Sequence, residues 1–275
     1  MNSNFQQVVQ ALGVLHNGAS DPAQRKAAHE QCEALKWHSE PTAVAELAVQ
    51  MSASEHPAQV RHFGLHLVEH LVRYRWKELS GIQEHFKQWI LQYLLAGTLD
   101  AATELHFVKE KSAAIASNIA SREWPQRWPN FLDVLMEAAA QGPTQSDLVV
   151  RTVRALVGTV YIDGNFVERR RNELKQALTQ EFPRMLALLH GQLSMHHQQL
   201  QAGQQGEQCL QQCLQCLLEL MPFVAPNVLA ENLQQLGTHE VCAALMRAGQ
   251  SDTRVQTCEY FAQLVSRRLS FWLGE

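Results

Sequence analysis

The sequence predicts an all-α, HEAT-like α-solenoid: a superhelical stack of antiparallel helix pairs, about six of them. Three observations lead there. Nearly every segment repeats its apolar residues with a helical period, and none sustains two-residue alternation. Helices alternate with short Pro-, Gly- or Ser-marked breaks at roughly 40 to 47 residues per pair, the period of HEAT or armadillo units. Finally, Trp124-Pro125 and Trp128-Pro129 stand four residues apart, so one helix must stop and the next start within a single short corner.

Taken in order, Phe5 to His16 forms a first helix with Val8, Val9, Leu12 and Leu15 on one side. Asp21-Pro22 caps and opens a second, which carries Ala28, Cys32 and Leu35. Glu40-Pro41-Thr42 opens a third through Val44, Leu47, Ala48 and Met51. His56-Pro57 breaks to a long fourth, Gln59 to about Trp76, whose buried stripe is Val60, Phe63, Leu67, Leu71 and Tyr74. Ser80-Gly81 leads into a fifth through Ile82, Phe86, Trp89, Ile90 and Tyr93, which Gly97 ends; Thr103 starts a sixth with the stripe Leu105, Val108, Ile115 and Ile119. The Trp-Pro corner follows, with two large indoles suited to a buried wedge. Beyond it the periodicity predicts helices over Pro129 to Ala140, Ser146 to Ile162, Val167 to His197, Cys209 to Met221, Asn227 to Ala248 and Thr253 to Leu269. The Gln- and Gly-containing stretch Gln198 to Gly206 reads as a loose connection. Because each pair packs on its neighbours, the expected organisation is one array over 1–275 without an internal boundary. The apolar end Phe271-Trp272-Leu273 suits a chain that continues into further repeats.

Composition narrows the function. At 46% hydrophobic and 18% charged, 275 residues are enough for a sizeable folded core. A net charge of -4 argues against gripping nucleic acid through the overall field, so any RNA contact must be local or shared. No basic segment is followed by an apolar one at the start, and no run reaches the ~18 apolar residues of a membrane span. The expectation is a reducing intracellular compartment without membrane contact. Six cysteines are then expected as free, mostly buried thiols.

Three motifs could carry chemistry. His66-Leu67-Val68-Glu69-His70 matches H-x-x-E-H, in which two histidines one turn apart bind zinc and the glutamate is the base of a peptidase. Such a site needs a third ligand from a second helix, for which Glu104 and Glu110 are the nearest choices. The simpler reading makes these side chains the solvated face opposite Val60, Phe63, Leu67 and Leu71, with no metal and no catalysis. Cys209, Cys213 and Cys216 have the C-x3-C-x2-C spacing of radical-enzyme iron-sulfur loops, yet they lie at helical i, i+4, i+7 among Leu210, Leu214, Leu217 and Leu218, where cysteine serves as a small apolar residue. Arg169, Arg170 and Arg171 form a dense basic run at a helix start, mildly unfavourable against the helix dipole. They either pair with Glu168 and Glu173 or contact an acidic partner or phosphate.

At this point the residues resemble a known family. Val60-Arg-His-Phe-Gly-Leu65, Leu67-Val-Glu-His70, Arg75-Trp76, Arg122-Glu-Trp-Pro-Gln126, Trp128-Pro129, Arg169-Arg-Arg171 and Leu178-Thr-Gln180 are similar, in order and separation, to the N-terminal region of exportins of the importin-beta (karyopherin) family. The chain departs from that pattern at His66, where the family has Gln, which speaks against a required zinc ligand. The resemblance implies importin-beta N-terminal-like repeats over 1–100 and exportin-type repeats over 101–275. It implies a monomeric receptor, not an enzyme and without cofactor, that shuttles between nucleus and cytoplasm. Its partners would be the small GTPase Ran in its GTP form, nuclear pore proteins, and double-stranded hairpin RNA cargo held mainly by repeats absent from this chain. A generic helical-repeat scaffold is the alternative within the same fold. On the fourth helix, Arg61, His62, His66, Glu69 and Arg73 form the polar side once the apolar stripe turns inward, and Lys109 and Glu110 extend it onto the sixth. With the resemblance, this mixed-charge strip is the expected Ran contact.

Overall fold

The structure, a computed structural model, describes residues 3–96, 104–161, 166–202, 207–248 and 251–266. Among them are thirteen α-helices, two short 3-10 turns and no strand, which bears out the all-helical, HEAT-like class. The helices group into two compact units, Met1–Arg122 and Glu123–Glu275, and the division falls at the Trp-Pro corner, where the sequence offered no boundary.

The first unit contains α1 (Ser3–His16), α2 (Pro22–His38), α3 (Pro41–Met51), α4 (Ala58–Tyr74), a 3-10 turn (Trp76–Leu79), α5 (Gln83–Ala96) and α6 (His106–Glu123). Helix α1 packs on α2, and α3 on α4. Local chemistry sets the ends. Pro22 and Pro41 occupy first turns, where their missing N–H costs nothing. The Glu40 carboxylate accepts the Ala43 N–H at 2.8 Å and caps α3. The open carbonyls at the end of α2 are met by a side chain: Arg75 Nη1 donates to Lys36 O at 3.1 Å and Ser39 O at 2.9 Å, while its other nitrogens hold Glu78.

Two features bring α4 into register with its neighbours. Gly64 lets α4 approach α3 so closely that an added Cβ would lie 2.7 Å from Ser52 Oγ and 2.8 Å from both Ala48 O and Met51 Cβ. Arg61, 1% exposed, is buried. Its Nη2 donates to Glu104 at 2.5 Å and to Tyr93 Oη at 3.3 Å, and Tyr93 donates onward to Ser52 O at 3.3 Å. One guanidinium therefore joins α4, α5 and the residues entering α6.

The second unit contains α7 (Phe131–Ala139), α8 (Pro143–Tyr161), α9 (Glu168–Gln201), α10 (Glu207–Leu220), a 3-10 turn (Met221–Phe223), α11 (Pro226–Leu236), α12 (Thr238–Ala248) and α13 (Ser251–Ser266). Helix α10 packs against α8, α9 and α13, and α12 against α9 and α13. Trp124 and Trp128 are buried, the latter 4.6 Å from the Phe131 ring, so the corner is an apolar wedge as its indoles imply. Within α8, the Arg151–Asp147 pair is 2.9 Å long and excluded from water.

Several expectations need correction. Tyr74 and Leu105, assigned to buried stripes, are 61% and 45% exposed; α4 ends at Tyr74, so the helical period no longer directs the ring inward. The single helix expected over Asn227 to Ala248 is two, because Gly237 takes a left-handed φ of 67° and closes α11. Helix α9 runs on to Gln201, into the stretch read as a loose connection. The expectations at Gly97, Thr103, Ile162, Leu269 and Phe271 to Leu273 lie outside the described residues.

Two substitutions test this packing. Gly64→Ala is expected to cost about 1–3 kcal/mol, because the new methyl meets backbone and Cβ atoms of α3 that have no room to yield. Glu104→Ala is expected to cost about 3–5 kcal/mol, since it leaves a buried guanidinium without its carboxylate. Thermal unfolding followed by circular dichroism checks both.

Candidate partner-binding surface on α4 and α6

Side chains at His62, His66, Glu69 and Arg73 recur every three or four residues and so share one side of α4. Glu69 is the centre. Lys111 of α6 reaches it at 2.6 Å, His66 Nδ1 at 3.7 Å and Arg73 Nη1 at 3.7 Å. Burial works to raise the Glu69 carboxyl, but the hydrogen bonds and charges of His66 and Lys111 outweigh it and hold the group at about 2. Towards the N-terminus of α4, the His62 ring meets Phe107 of α6 edge-on at 5.0 Å. On α6, His106 stands 3.5 Å from Glu110.

Not every residue of the expected strip is on the surface. Arg61 is the interior clamp described above, and Lys109 is 2% exposed. Counting positions along a helix classes arginine and lysine as outward-facing, and misses a long side chain that finds a partner in the interior. The accessible strip is His62, His66, Arg73 and Glu110, with Glu69 and Lys111 joining the helices beneath. Lys111 and Phe107 escaped the sequence reading; only the α4–α6 juxtaposition reveals them.

The peptidase reading of His66, Glu69 and His70 finds no support in this geometry. The Glu69 carboxylate is engaged by Lys111 at 2.6 Å, an ion pair that it would have to give up to act as a general base. His70 is buried, its ring 4.4 Å from Trp37 and 5.0 Å from Tyr74, rather than open beside His66. Among the described residues no three His, Cys, Asp or Glu side chains come together as a metal would require. The cysteine motif lies along α10 with Cys213 and Cys216 buried, and burial pushes both thiols upward, as expected of core residues.

The arginine run divides its work. Arg170 Nη1 donates to Gln126 Oε1 at 2.7 Å and Nη2 to the carbonyl of Trp124, fastening α9 to the Trp-Pro corner. Arg169 is exposed and pairs with Glu173 at 3.1 Å. Arg171 is half-buried. Arg169 is thus paired within its own helix, and Arg170 with residues more than forty positions away.

The Glu69 cluster has a signed pH dependence. A carboxyl lowered in the folded state contributes stability that is present above its unfolded value near 4.5 and is lost as pH falls through about 2. Glu69→Gln is accordingly expected to lower the melting temperature at neutral pH. Its deficit relative to the parent should narrow as pH falls below about 4.5, which melting curves across that range will measure.

Comparison with known proteins places the chain in a family. The family model described as Exportin 1-like protein matches residues 105–261. Human Exportin-5 is 30% identical over 190 residues, covering 69% of this chain and 16% of that protein. HASTY 1 of Arabidopsis thaliana is 29% identical over 273 residues, covering 97% of this chain and 22% of that protein. Human Exportin-T is 26% identical over 168 residues, covering 59% and 17%. The chain thus spans 16 to 22% of the length of these relatives. With the family match extending over more than half of its residues, the chain belongs to the Exportin 1-like family of karyopherins.

Proposed function

We propose that this chain is a segment of a nuclear export receptor and that its α4–α6 surface binds the GTP form of the small GTPase Ran. The carrying observation is the strip of His62, His66, Arg73 and Glu110, which crosses two helices and is held in place by the Glu69–Lys111 bridge. Membership of the exportin family supports reading that strip as an interface rather than as plain solvated surface. In this reading residues 1–100 are importin-beta N-terminal-like repeats and 101–275 exportin-type repeats. The receptor is monomeric, passes between nucleus and cytoplasm through contacts with nuclear pore proteins, and carries double-stranded hairpin RNA mainly on repeats outside this chain. An acidic balance of -4 fits a minor share in RNA binding.

Nucleotide selectivity follows from the partner. Switch segments of a GTPase are ordered by the terminal phosphate, so a preformed charged strip meets its complement in one nucleotide state only. Ran loaded with a GTP analogue is expected to bind the 275-residue chain more tightly than Ran with GDP. Arg73→Glu and Glu110→Lys are each expected to weaken binding, by about 1–3 kcal/mol for a central contact and less at the rim. Lys109 is excluded from this test because its side chain is buried and its reversal would report on folding. Titration calorimetry decides: equal affinity for both nucleotide states, or no effect of either reversal, removes the strip from the interface. Hairpin RNA is expected to bind the chain weakly and without preference for an overhang at physiological salt. Tight, overhang-selective binding in a filter assay would contradict that.

A further inference from the structure

Among the described residues of Met1–Arg122, the large apolar side chains left exposed are Trp37, Tyr74, Leu105 and Phe107, at 50, 61, 45 and 40%. They are not scattered. Trp37 and Tyr74 lie 5.6 Å apart, both against His70 at the C-terminal end of α4. Phe107 lies against His62 at the other end of α4, two residues beyond Leu105. The twelve residues from His62 to Tyr74 separate these two groups by about 18 Å along the helix. Between them stands the Glu69 cluster, its carboxylate already met by Lys111, Arg73 and His66.

From this arrangement we infer that the aromatic groups at the two ends of α4, Trp37 with Tyr74 and Phe107 with Leu105, are paired apolar anchors for one folded protein partner. The inference rests on the reading above and commits to the same occupant, the GTP-form GTPase. A small ligand does not reach both ends of an 18 Å strip (~1.5 Å of rise per residue), and the ion-paired centre interrupts the continuous apolar face that a lipid surface needs. Nor does the strip form a run of positive charge that could follow a phosphate backbone, because the carboxylates of Glu69 and Glu110 stand among its cations. Exposed aromatics flanking mixed charge are instead the composition of protein interfaces, in which a few Trp, Tyr and Arg side chains dominate affinity. The anchors would supply affinity, and the charged strip between them the selectivity for nucleotide state.

The experiment uses the 275-residue chain, Ran loaded with a GTP analogue, and the variants Trp37→Ala, Trp37→Phe, Phe107→Ala and, as control, Phe223→Ala, an exposed aromatic of the second unit. Calorimetry is expected to give at least tenfold weaker binding for Trp37→Ala and for Phe107→Ala, recovery to within threefold for Trp37→Phe, and no change for Phe223→Ala. Unchanged circular dichroism melts show that the variants are folded; Trp37→Phe keeps a packed ring beside His70 should Trp37→Ala disturb it. Binding by the parent that stays within twofold in either Trp37→Ala or Phe107→Ala overturns the anchors and leaves the proposed function standing. An equal loss in Phe223→Ala overturns them also. No binding by the parent overturns both readings. Concentration-dependent self-association abolished by Trp37→Ala, seen in sedimentation, would give the surface to a second copy of the chain and overturn this assignment.

Discussion

A guanidinium buried in the first unit constrains everything around it. Arg61 cannot be left uncompensated in the interior, so Glu104 must enter from the start of α6, and Tyr93 from α5 must turn its hydroxyl toward the same spot. An apolar trio could fill that volume, and a buried pair is seldom a net source of stability. The polar trio adds geometry. Hydrogen-bond directions fix the rotation of α4, α5 and the entry to α6 about their own axes, whereas apolar packing tolerates slippage. With that rotation fixed, His62, His66, Glu69 and Arg73 lie on one side, and Lys111 falls within 2.6 Å of Glu69.

The close approach at Gly64 acts in the same direction from the other side of the helix. Shape complementarity against α3 limits where α4 can sit, while the Arg61 network limits how it can turn. Comparable work in the second unit falls to Arg170, which fastens the start of α9 to the carbonyl of Trp124. In both places an arginine with several directional donors bridges segments that sequence separates by more than forty residues.

Much of this fold was legible in the sequence because its helix starts are written in local chemistry. Asp21-Pro22, Glu40-Pro41 and Pro57 mark α2, α3 and α4 to within a residue or two, and the two Trp-Pro steps mark the corner. What escaped depended on non-local partners or on backbone conformation. Nothing near Arg61 announces Glu104, forty-three positions away, so helical counting put the guanidinium in solvent. Gly237 resembles any other glycine until its φ is known. Tyr74 was misplaced because the stripe was extended through a helix end. The candidate surface was half legible: the polar side of α4 follows from period, but its link to Lys111 and Phe107 requires knowing which turns of α6 lie alongside.

The ion pairing on that surface determines how a partner can use it. Lys111 is engaged by Glu69 at 2.6 Å, and Arg73 stands within 3.7 Å of the same carboxylate. A partner carboxylate that takes over Arg73 therefore gains only the difference between the new contact and the old one, and that difference is small at an exposed site. Charge so arranged distinguishes well between matching and mismatched surfaces, because a like charge meets an ordered neighbour, but it adds little to binding strength. In the proposed interface affinity then comes from surface that folding leaves unsatisfied, and among the described residues of the first unit the large apolar side chains in that condition stand at the two ends of α4. Selectivity in that interface thus resides at the centre and affinity at the ends, the division expected where binding must follow a conformational state of the partner.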